Sequence, residues 1–289
     1  MGPRGPSTQW MTSFITSTAL PRQRGISRSH RLPRTESSFH IHQSSIPEVH
    51  MPPQRTDPAP NRTLDLRDLH RQSYRSVLDS MERLLRRERW AYLHPSKRWE
   101  YPWALERAQL FPGARVLDAG CGSSIFPIYL AAQGYAVSAT DINLPREPMR
   151  SGACAVHYVE ADLGALPVRA ESFDAVFCVS VLEHLPRTAM LHALGELQRV
   201  LRPGGRCLVT TDFYEDADEP LRYDGPGEPF AVDWNVFDEH RLRVLIDGAR
   251  GLRLEGALDL QVNWQETRAR MRQFHGYPYT SVGIGFTKP

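Results

Sequence analysis

Asp118, Asp141 and Asp162 each stand at or just beyond the end of a short apolar run, and the first is followed at once by a turn containing Gly120 and Gly122. Residues 115–124 read Arg-Val-Leu-Asp-Ala-Gly-Cys-Gly-Ser-Ser and lead into an apolar, helix-compatible run at 125–133. That is the composition of a buried strand turning sharply into a helix, with glycines where the backbone bends tightly or lies against a ligand. A ligand at the carboxyl end of the strand is the first expectation. Pyrophosphate suits the turn poorly. A dinucleotide turn follows Gly-x-Gly-x-x-Gly/Ala, the sixth position here is Ile125, and the Asp118 carboxylate would repel phosphate. A ligand with an ammonium or sulfonium charge and no phosphate fits better. Asp141 follows the first glycine by roughly 20 residues, the spacing at which an acid accepts both ribose hydroxyls.

A fourth apolar run, 173–179, is followed by Ser180-Val181-Leu182-Glu183-His184-Leu185, and residues 201–205 read Leu-Arg-Pro-Gly-Gly ahead of a fifth run at 206–211. Taken in order, these landmarks resemble class I S-adenosylmethionine-dependent methyltransferases, in particular the type 11-like subgroup whose fourth strand ends in Leu-Glu-His. The resemblance covers residues 115–211, and its one departure is Ser124 for glycine at the third small position of the turn. It implies an α/β fold: a Rossmann-like, seven-stranded, mostly parallel sheet with helices on both faces and an antiparallel last strand. It implies S-adenosyl-L-methionine as cofactor, held by Asp118, Gly120, Cys121, Gly122, Asp141, Ile142, Leu163 and Ser180, with Asp162 where an acid holds the adenine amino group.

Methyl transfer is an in-line displacement at a carbon already activated by the sulfonium, so the enzyme chiefly positions the acceptor and excludes water. Where the acceptor must lose a proton, His184 is the candidate catalytic base, with an imidazole suited to neutral pH. Its other reading is a positioning role, since Glu-His follows this strand in members of the family that act on unrelated acceptors. Glu183 reads as a helix-start anion or a local hydrogen-bond acceptor.

The elements that must place these groups follow the hydrophobic pattern. Strand-like runs at 136–139, 157–159, 173–179 and 206–211 alternate with helix-like stretches, 125–133 stopping at Gly134 and 188–201 ending before Pro203. That cadence means a parallel sheet covered by helices on both sides. Residues 144–152, with Pro145 and Pro148, hold at most a short helix. Residues 236–249 read as a helix, and 252–260 and 281–286 as the closing antiparallel strand pair. Residues 261–279 form a longer connection that brings Trp264, Phe274 and Tyr277 towards the rim.

Residues 63–289 read as the methyltransferase domain and 63–110 as its helical, aromatic cap. Residues 64–90 place Leu66, Leu69, Val77, Leu78, Met81, Leu84 and Leu85 at helical spacing. An aromatic-rich segment follows. There Arg98 is a candidate partner for the cofactor carboxylate, Tyr101 a cofactor contact, and Trp99 an acceptor wall, by cation–π attraction or apolar contact. The other reading of these aromatics, favoured for Trp103, is that they anchor the helix to the core. Residues 212–235 are acidic, turn-rich and aromatic, and read as an acceptor lid with Asp212, Tyr214 and Trp234 as substrate contacts. The alternative is a solvated insertion.

The chain has 289 residues, 41% of them hydrophobic, and no apolar run approaches the roughly 20 residues of a membrane-spanning helix. A formal charge of +2 makes no case for nucleic acid or membrane as partner. Two sets of motifs are also missing: the Lys-Asp-Lys-Glu tetrad of ribose methyltransferases, and the Asn/Asp-Pro-Pro-Tyr/Phe element of amino-methylating nucleic-acid enzymes. Lysine occurs only at Lys97 and Lys288. Cys121, Cys154, Cys178 and Cys207 fit buried thiols in a reducing compartment, the cytoplasm, with no disulfide framework and no metal site. Residues 1–62, rich in Pro, Ser and Arg, read as a disordered tail. A transit peptide or an upstream-extended start are its other readings.

The expected function is methyl transfer from S-adenosylmethionine to a small-molecule acceptor, on oxygen before nitrogen or carbon, in secondary or specialised metabolism. The alternatives are a non-catalytic regulatory protein that binds S-adenosylmethionine and a nicotinamide-dependent reductase, the latter disfavoured by Asp118 and Ile125. Oligomeric state is not legible.

Overall fold

A computed structural model describes residues 59–88, 93–144, 155–218, 221–223, 230–232 and 234–289. The expectations for residues 1–58, for the connection at 144–152 beyond Leu144 and for Cys154 lie outside them. The strands are β1 (Asn61–Thr63), β2 (Arg115–Ala119), β3 (Ala136–Asp141), β4 (Val156–Glu160), β5 (Phe173–Val179), β6 (Leu201–Phe213), β7 (Arg222–Tyr223), β8 (Phe230–Ala231), β9 (Arg253–Leu254), β10 (Leu258–Asp259) and β11 (Thr280–Thr287). The helices are α1 (Gln72–Arg87), α2 (Lys97–Ala108), α3 (Phe126–Ala132), α4 (Arg187–Val200), α5 (Glu239–Gly248) and α6 (Trp264–His275).

The main sheet runs β10-β1-β11-β6-β5-β2-β3-β4, with β9 on β11. β4, β3, β2, β5 and β6 are parallel neighbours and β11 lies antiparallel on β6, as expected for this fold class. The chain leaves β2 towards β3 and β4 on one side and returns to β5 and β6 on the other. The β2/β5 boundary is therefore the point where strand order reverses, and the carboxyl ends there frame a crevice.

The two faces follow from the two-residue period of a strand. Val176 and Cys178 of β5, Cys207 and Val209 of β6, and Val282, Ile284 and Phe286 of β11 pack with Met190, Leu194 and Leu197 of α4 and Leu242 and Leu245 of α5. The alternate residues Val116, Phe177, Val179 and Leu208 pack with α1, α2 and α3 through Tyr74, Met81, Trp99, Trp103, Phe126 and Ile128. The same parity aims Asp118, Asp141, Asp212 and Ser281 to the face covered by α2.

Three elements depart from the sequence reading. The aromatic segment before the first strand contains a helix, α2, with Pro102 inside it. Proline reads as a breaker, but fully buried Trp99, Trp103 and Ala104 hold the helix against the sheet. The run at 252–260 is two short strands broken at Glu255-Gly256-Ala257, where Gly256 takes a φ of +77°. The edge position this leaves beside β11 is filled by β1, antiparallel to β11 and parallel to β10. Asn61 and Arg62 are consequently part of the domain, which corrects the boundary at 62. Asn61 is fully buried, donates through Nδ2 to Glu255 O (2.7 Å) and Ala257 O (3.2 Å), and accepts from Gly285 N (2.6 Å). No signal of apolar periodicity announces a three-residue strand held by one asparagine.

Candidate active site

The glycine turn after β2 is bound to the neighbouring strand: the N–H groups of Gly120 and Cys121 both donate to Thr140 O, at 2.8 and 2.9 Å. Gly120 has a φ of +80°, and a Cβ there would lie 2.5 Å from Val181 Cγ2, so no other residue fits without displacing the segment after β5. Gly122, at φ +50°, has open space where a Cβ would point. Asp141, the last residue of β3, accepts from Gly122 N at 2.8 Å through one oxygen and from Asn143 N at 3.0 Å through the other. Ala161 N donates to Asp141 O (2.9 Å), and exposed Asp162 caps its own turn by accepting from Gly164 N (2.7 Å). The three acids thus stand at the carboxyl rims of β2, β3 and β4, on adjacent strands.

Asp118 is buried beneath this turn. Burial first and the neighbouring Asp141 charge second push its carboxyl up to about 7, with Lys97 pulling the other way. Two carboxylates and an open glycine backbone suit ribose hydroxyls and a cationic sulfonium and oppose pyrophosphate, so the residues present fit S-adenosylmethionine. Cys121 and Leu163 are buried and Ile142 is exposed at the same rim. Tyr101 lies in the core, stacked on Phe126 with centroids 4.3 Å apart. Burial and the Asp118 charge raise its phenol, which hydrogen-bonds to the Ser124 side chain. It therefore lines the cofactor turn from below.

Two cap residues do not reach the site. Trp99 is fully buried, donates to Asp68 Oδ2 (2.8 Å), stacks on Trp103 and carries the Arg62 guanidinium over its ring. It anchors the cap to the core, which corrects its assignment as an acceptor wall. Arg98 pairs with Glu82 on α1 (3.1 Å) and, among the described residues, with nothing at the rim. The cation at the rim is its neighbour Lys97, whose Nζ donates to Glu100 Oε2 and Ser180 Oγ, both at 2.5 Å. Two adjacent helical residues point about 100° apart, so only one can face the sheet, and α1 occupies the other direction.

Sequence reading missed the rest of this cluster. Glu100 is fully buried and also accepts from Ser180 Oγ (3.1 and 3.2 Å). Burial works to raise its carboxyl, but the Lys97 charge and hydrogen bond, the Ser281 hydroxyl and His94 leave it below its ordinary value. Ser180 is held at φ +52° by its N–H, which donates to Thr210 O (3.1 Å) and Oγ1 (3.2 Å). A serine in the left-handed region is strained, and such strain concentrates at functional sites. Burial depresses the neighbouring imidazoles: His94 falls to about 4, with Lys97 adding to the effect, and His275 to about 3, with His94 adding. A Pro-interrupted helix and isolated polar residues on separate strands carry no local pattern that would unite them.

The described residues after β6 bond back onto this cluster. Asp212 Oδ2 accepts from Trp234 Nε1 (2.6 Å), and Asn235 donates to Glu183 O through both N and Nδ2 (2.9 Å each). Tyr214 is buried among Leu221, Val236, Tyr277 and Tyr279, with Tyr223, Phe230, Trp234 and Trp264 against them. Here α6, in place of an irregular connection, brings Trp264 and Tyr277 to the rim. His184 is exposed and faces Trp234 with ring centroids 5.7 Å apart.

A family model of the methyltransferase domain matches residues 117–209. Malonyl-[acyl-carrier protein] O-methyltransferase of Enterobacter lignolyticus is 35% identical over 182 residues, 60% of this chain and 67% of that protein. Ubiquinone biosynthesis O-methyltransferase of Xylella fastidiosa is 36% identical over 105 residues, 34% of this chain and 42% of that protein. The chain thus spans two thirds of the first relative's length and less than half of the second's. Among solved structures, the fold is shared with Burkholderia thailandensis 1,6-didemethyltoxoflavin-N1-methyltransferase bound to 1,6-didemethyltoxoflavin and S-adenosylhomocysteine. That likeness has a TM-score of 0.50 at 22% identity, over 74% of this chain and 88% of that one. The chain belongs to the class I S-adenosylmethionine-dependent methyltransferase family, and S-adenosylmethionine is its cofactor.

Proposed function

We propose that this enzyme methylates an oxygen of a small-molecule acceptor held between the carboxyl ends of β5 and β6, the amino end of β11 and the lid at 212–235. One observation carries the reading. The glycine turn with Asp118 and Asp141 adjoins a second polar cluster, buried Glu100, Glu183 and Asp212 with half-buried Lys97 and Ser180, and Trp234 bonds to its Asp212. In this reading Asp141 takes the ribose hydroxyls and Asp162 the adenine amino group, while Asp118 lies on the side of the cationic methionine end. The bound cofactor supplies a methyl group on a sulfonium, already activated for displacement. What the chain adds is placement and exclusion of water, the latter through the aromatic lid. Trp234 and Tyr214 shape the acceptor space, and Asp212 orients Trp234. His184 sits on the outer side of Trp234, where a positioning role for the lid suits it better than proton abstraction.

A second reading takes the acceptor as an acyl chain carried on a protein, on the ground that the relative from Enterobacter lignolyticus acts on malonyl-[acyl-carrier protein]. Both readings are tested by incubating the chain with S-adenosylmethionine and a panel of free and carrier-linked acceptors, with S-adenosylhomocysteine release and a 14 Da product mass increase, about one CH₂ by elementary composition, as readouts. Release with a free acceptor supports the first, release with carrier-linked acceptors alone supports the second, and donor binding without any release supports a regulatory protein. The three buried free thiols Cys121, Cys178 and Cys207 favour a reducing compartment, the cytoplasm, as the place of action. Among the described residues no helix is long and apolar enough to cross a membrane.

A further inference from the structure

Glu183 is fully buried, and neither of its carboxylate oxygens meets a hydrogen-bond partner from another residue. A buried carboxylate with no partner is costly to the fold, and nothing about the local fold requires it. Its backbone already receives the Asn235 staple, and the 3-10 turn Leu182–His184 would close with any side chain. The acid facing it is Asp212, on the strand next to β5. Asp212 is itself oriented by Trp234 Nε1 and by Tyr279, with Lys97 and Glu100 of α2 as the other charged groups turned to the pair. The lid is stapled to both: Asn235 to Glu183 O, and Phe237 N to Asp212 O (3.1 Å).

We propose that Glu183 and Asp212 form a carboxylate pair that binds the acceptor's hydroxyl and takes its proton, so that the acceptor is a phenol or alcohol and not a carboxylic acid. The inference rests on the methyl-transfer reading above and names the substrate class of that site. Two unmet acceptor oxygens call for a donor, which a hydroxyl supplies and an ionised carboxylate does not. A carboxylate acceptor would also be a fourth acid beside Glu100, Glu183 and Asp212, against Lys97, the one cation turned to the pair among the described residues. In the reacting step the acceptor's O–H proton moves to a carboxylate oxygen of the pair as a lone pair of the acceptor oxygen forms the O–CH₃ bond. The S–CH₃ bond breaks with its electrons left on sulfur, and the proton later passes to solvent. Burial raises both carboxyls, with the Asp212 charge adding for Glu183 and the Glu100 charge adding for Asp212, which rises to about 7; this matches the pair to proton transfer near neutrality.

The test uses the full chain, Glu183→Gln and Asp212→Asn, with S-adenosylmethionine and a panel of phenols, aliphatic alcohols and carboxylic acids, following S-adenosylhomocysteine release against pH. Phenols or alcohols are expected to turn over and carboxylic acids not to. kcat should rise with pH to a midpoint near 7 in the parent and fall about 100-fold or more in either variant, with KM and donor Kd within about threefold. A preferred carboxylic acid acceptor, or variants that keep the parent kcat and pH profile, would overturn the proposal. A ¹³C carboxyl titration by NMR, which needs no acceptor, separates this from failure of the methyl-transfer reading. If donor binds but nothing is released, that reading fails, and the pair is judged by titration alone: a carboxyl still protonated above about pH 6 that is lost in Glu183→Gln supports it, whereas two carboxyls ionising below about pH 5 refute it. Above the pair's midpoint Glu183→Gln removes an unpaired buried charge without changing shape, so its Tm there should not fall.

Discussion

Asp118 shows how a single side chain can be placed for a ligand at the expense of the free fold. Its carboxyl is raised to about 7 from an ordinary 3.8, by burial and then by Asp141. The folded chain therefore holds a proton there that the unfolded chain releases above about pH 4. Stability from this group is complete below its unfolded value and declines as pH rises through 4 to 7. Asp118→Asn should leave thermal stability unchanged near pH 4 and raise it at pH 8 by roughly 2–4 kcal/mol in the absence of donor. It should also weaken S-adenosylmethionine binding at least about tenfold, the loss of one close charge interaction. Thermal melts at the two pH values and calorimetry measure both. His94 and His275 act with the opposite sign: depressed to about 4 and 3, they favour the fold fully above 6.5 and less as pH falls below it.

At the scale of the element, α2 separates two adjacent cations into different roles. Lys97 neutralises fully buried Glu100, whereas Arg98 makes a partly exposed pair with Glu82. Lys97→Met should destabilise the chain by about 3 kcal/mol or more, because it strands the Glu100 charge. The double variant Lys97→Met/Glu100→Gln should recover most of that loss, and Arg98→Met should change stability by less than about 1 kcal/mol. Denaturant titrations of these proteins, with Glu100→Gln alone added to close the double-mutant cycle, measure each term. The helix also marks the limit of what local pattern conveys. The strands β2 to β6 were legible because alternating apolar runs end in acids or glycines, and that pattern is local. α2 was not, because Pro102 and a near-continuous aromatic run hide a helix that exists through its contacts with β5, β6 and β11. With the helix unseen, its facing directions could not be assigned, and so Arg98 and Trp99 were placed at the site where Lys97 and Glu100 belong.

Across the whole molecule, parity of the strands sorts two hydrophobic layers and at the same time collects the acids on one side. That is why Asp118, Asp141 and the glycine turn could be read from spacing, while the Lys97–Glu100–Ser180 cluster and the Glu183–Asp212 pair, assembled from residues up to 115 positions apart between Lys97 and Asp212, could not. The far edge depends on β1: Asn61→Ala would leave the N–H of Gly285 and the carbonyls of Glu255 and Ala257 without their partner. A loss of about 2–4 kcal/mol is expected by chemical denaturation, with donor affinity unaltered because the opposite end of the sheet binds it. The most direct test of the cofactor site is calorimetric titration of S-adenosylmethionine into the parent and Asp141→Ala, each checked for cooperative unfolding. The expected result is one site in the parent and an affinity weakened by about 100-fold or more in a variant that still unfolds in one transition. Equal affinity in the two proteins would contradict it.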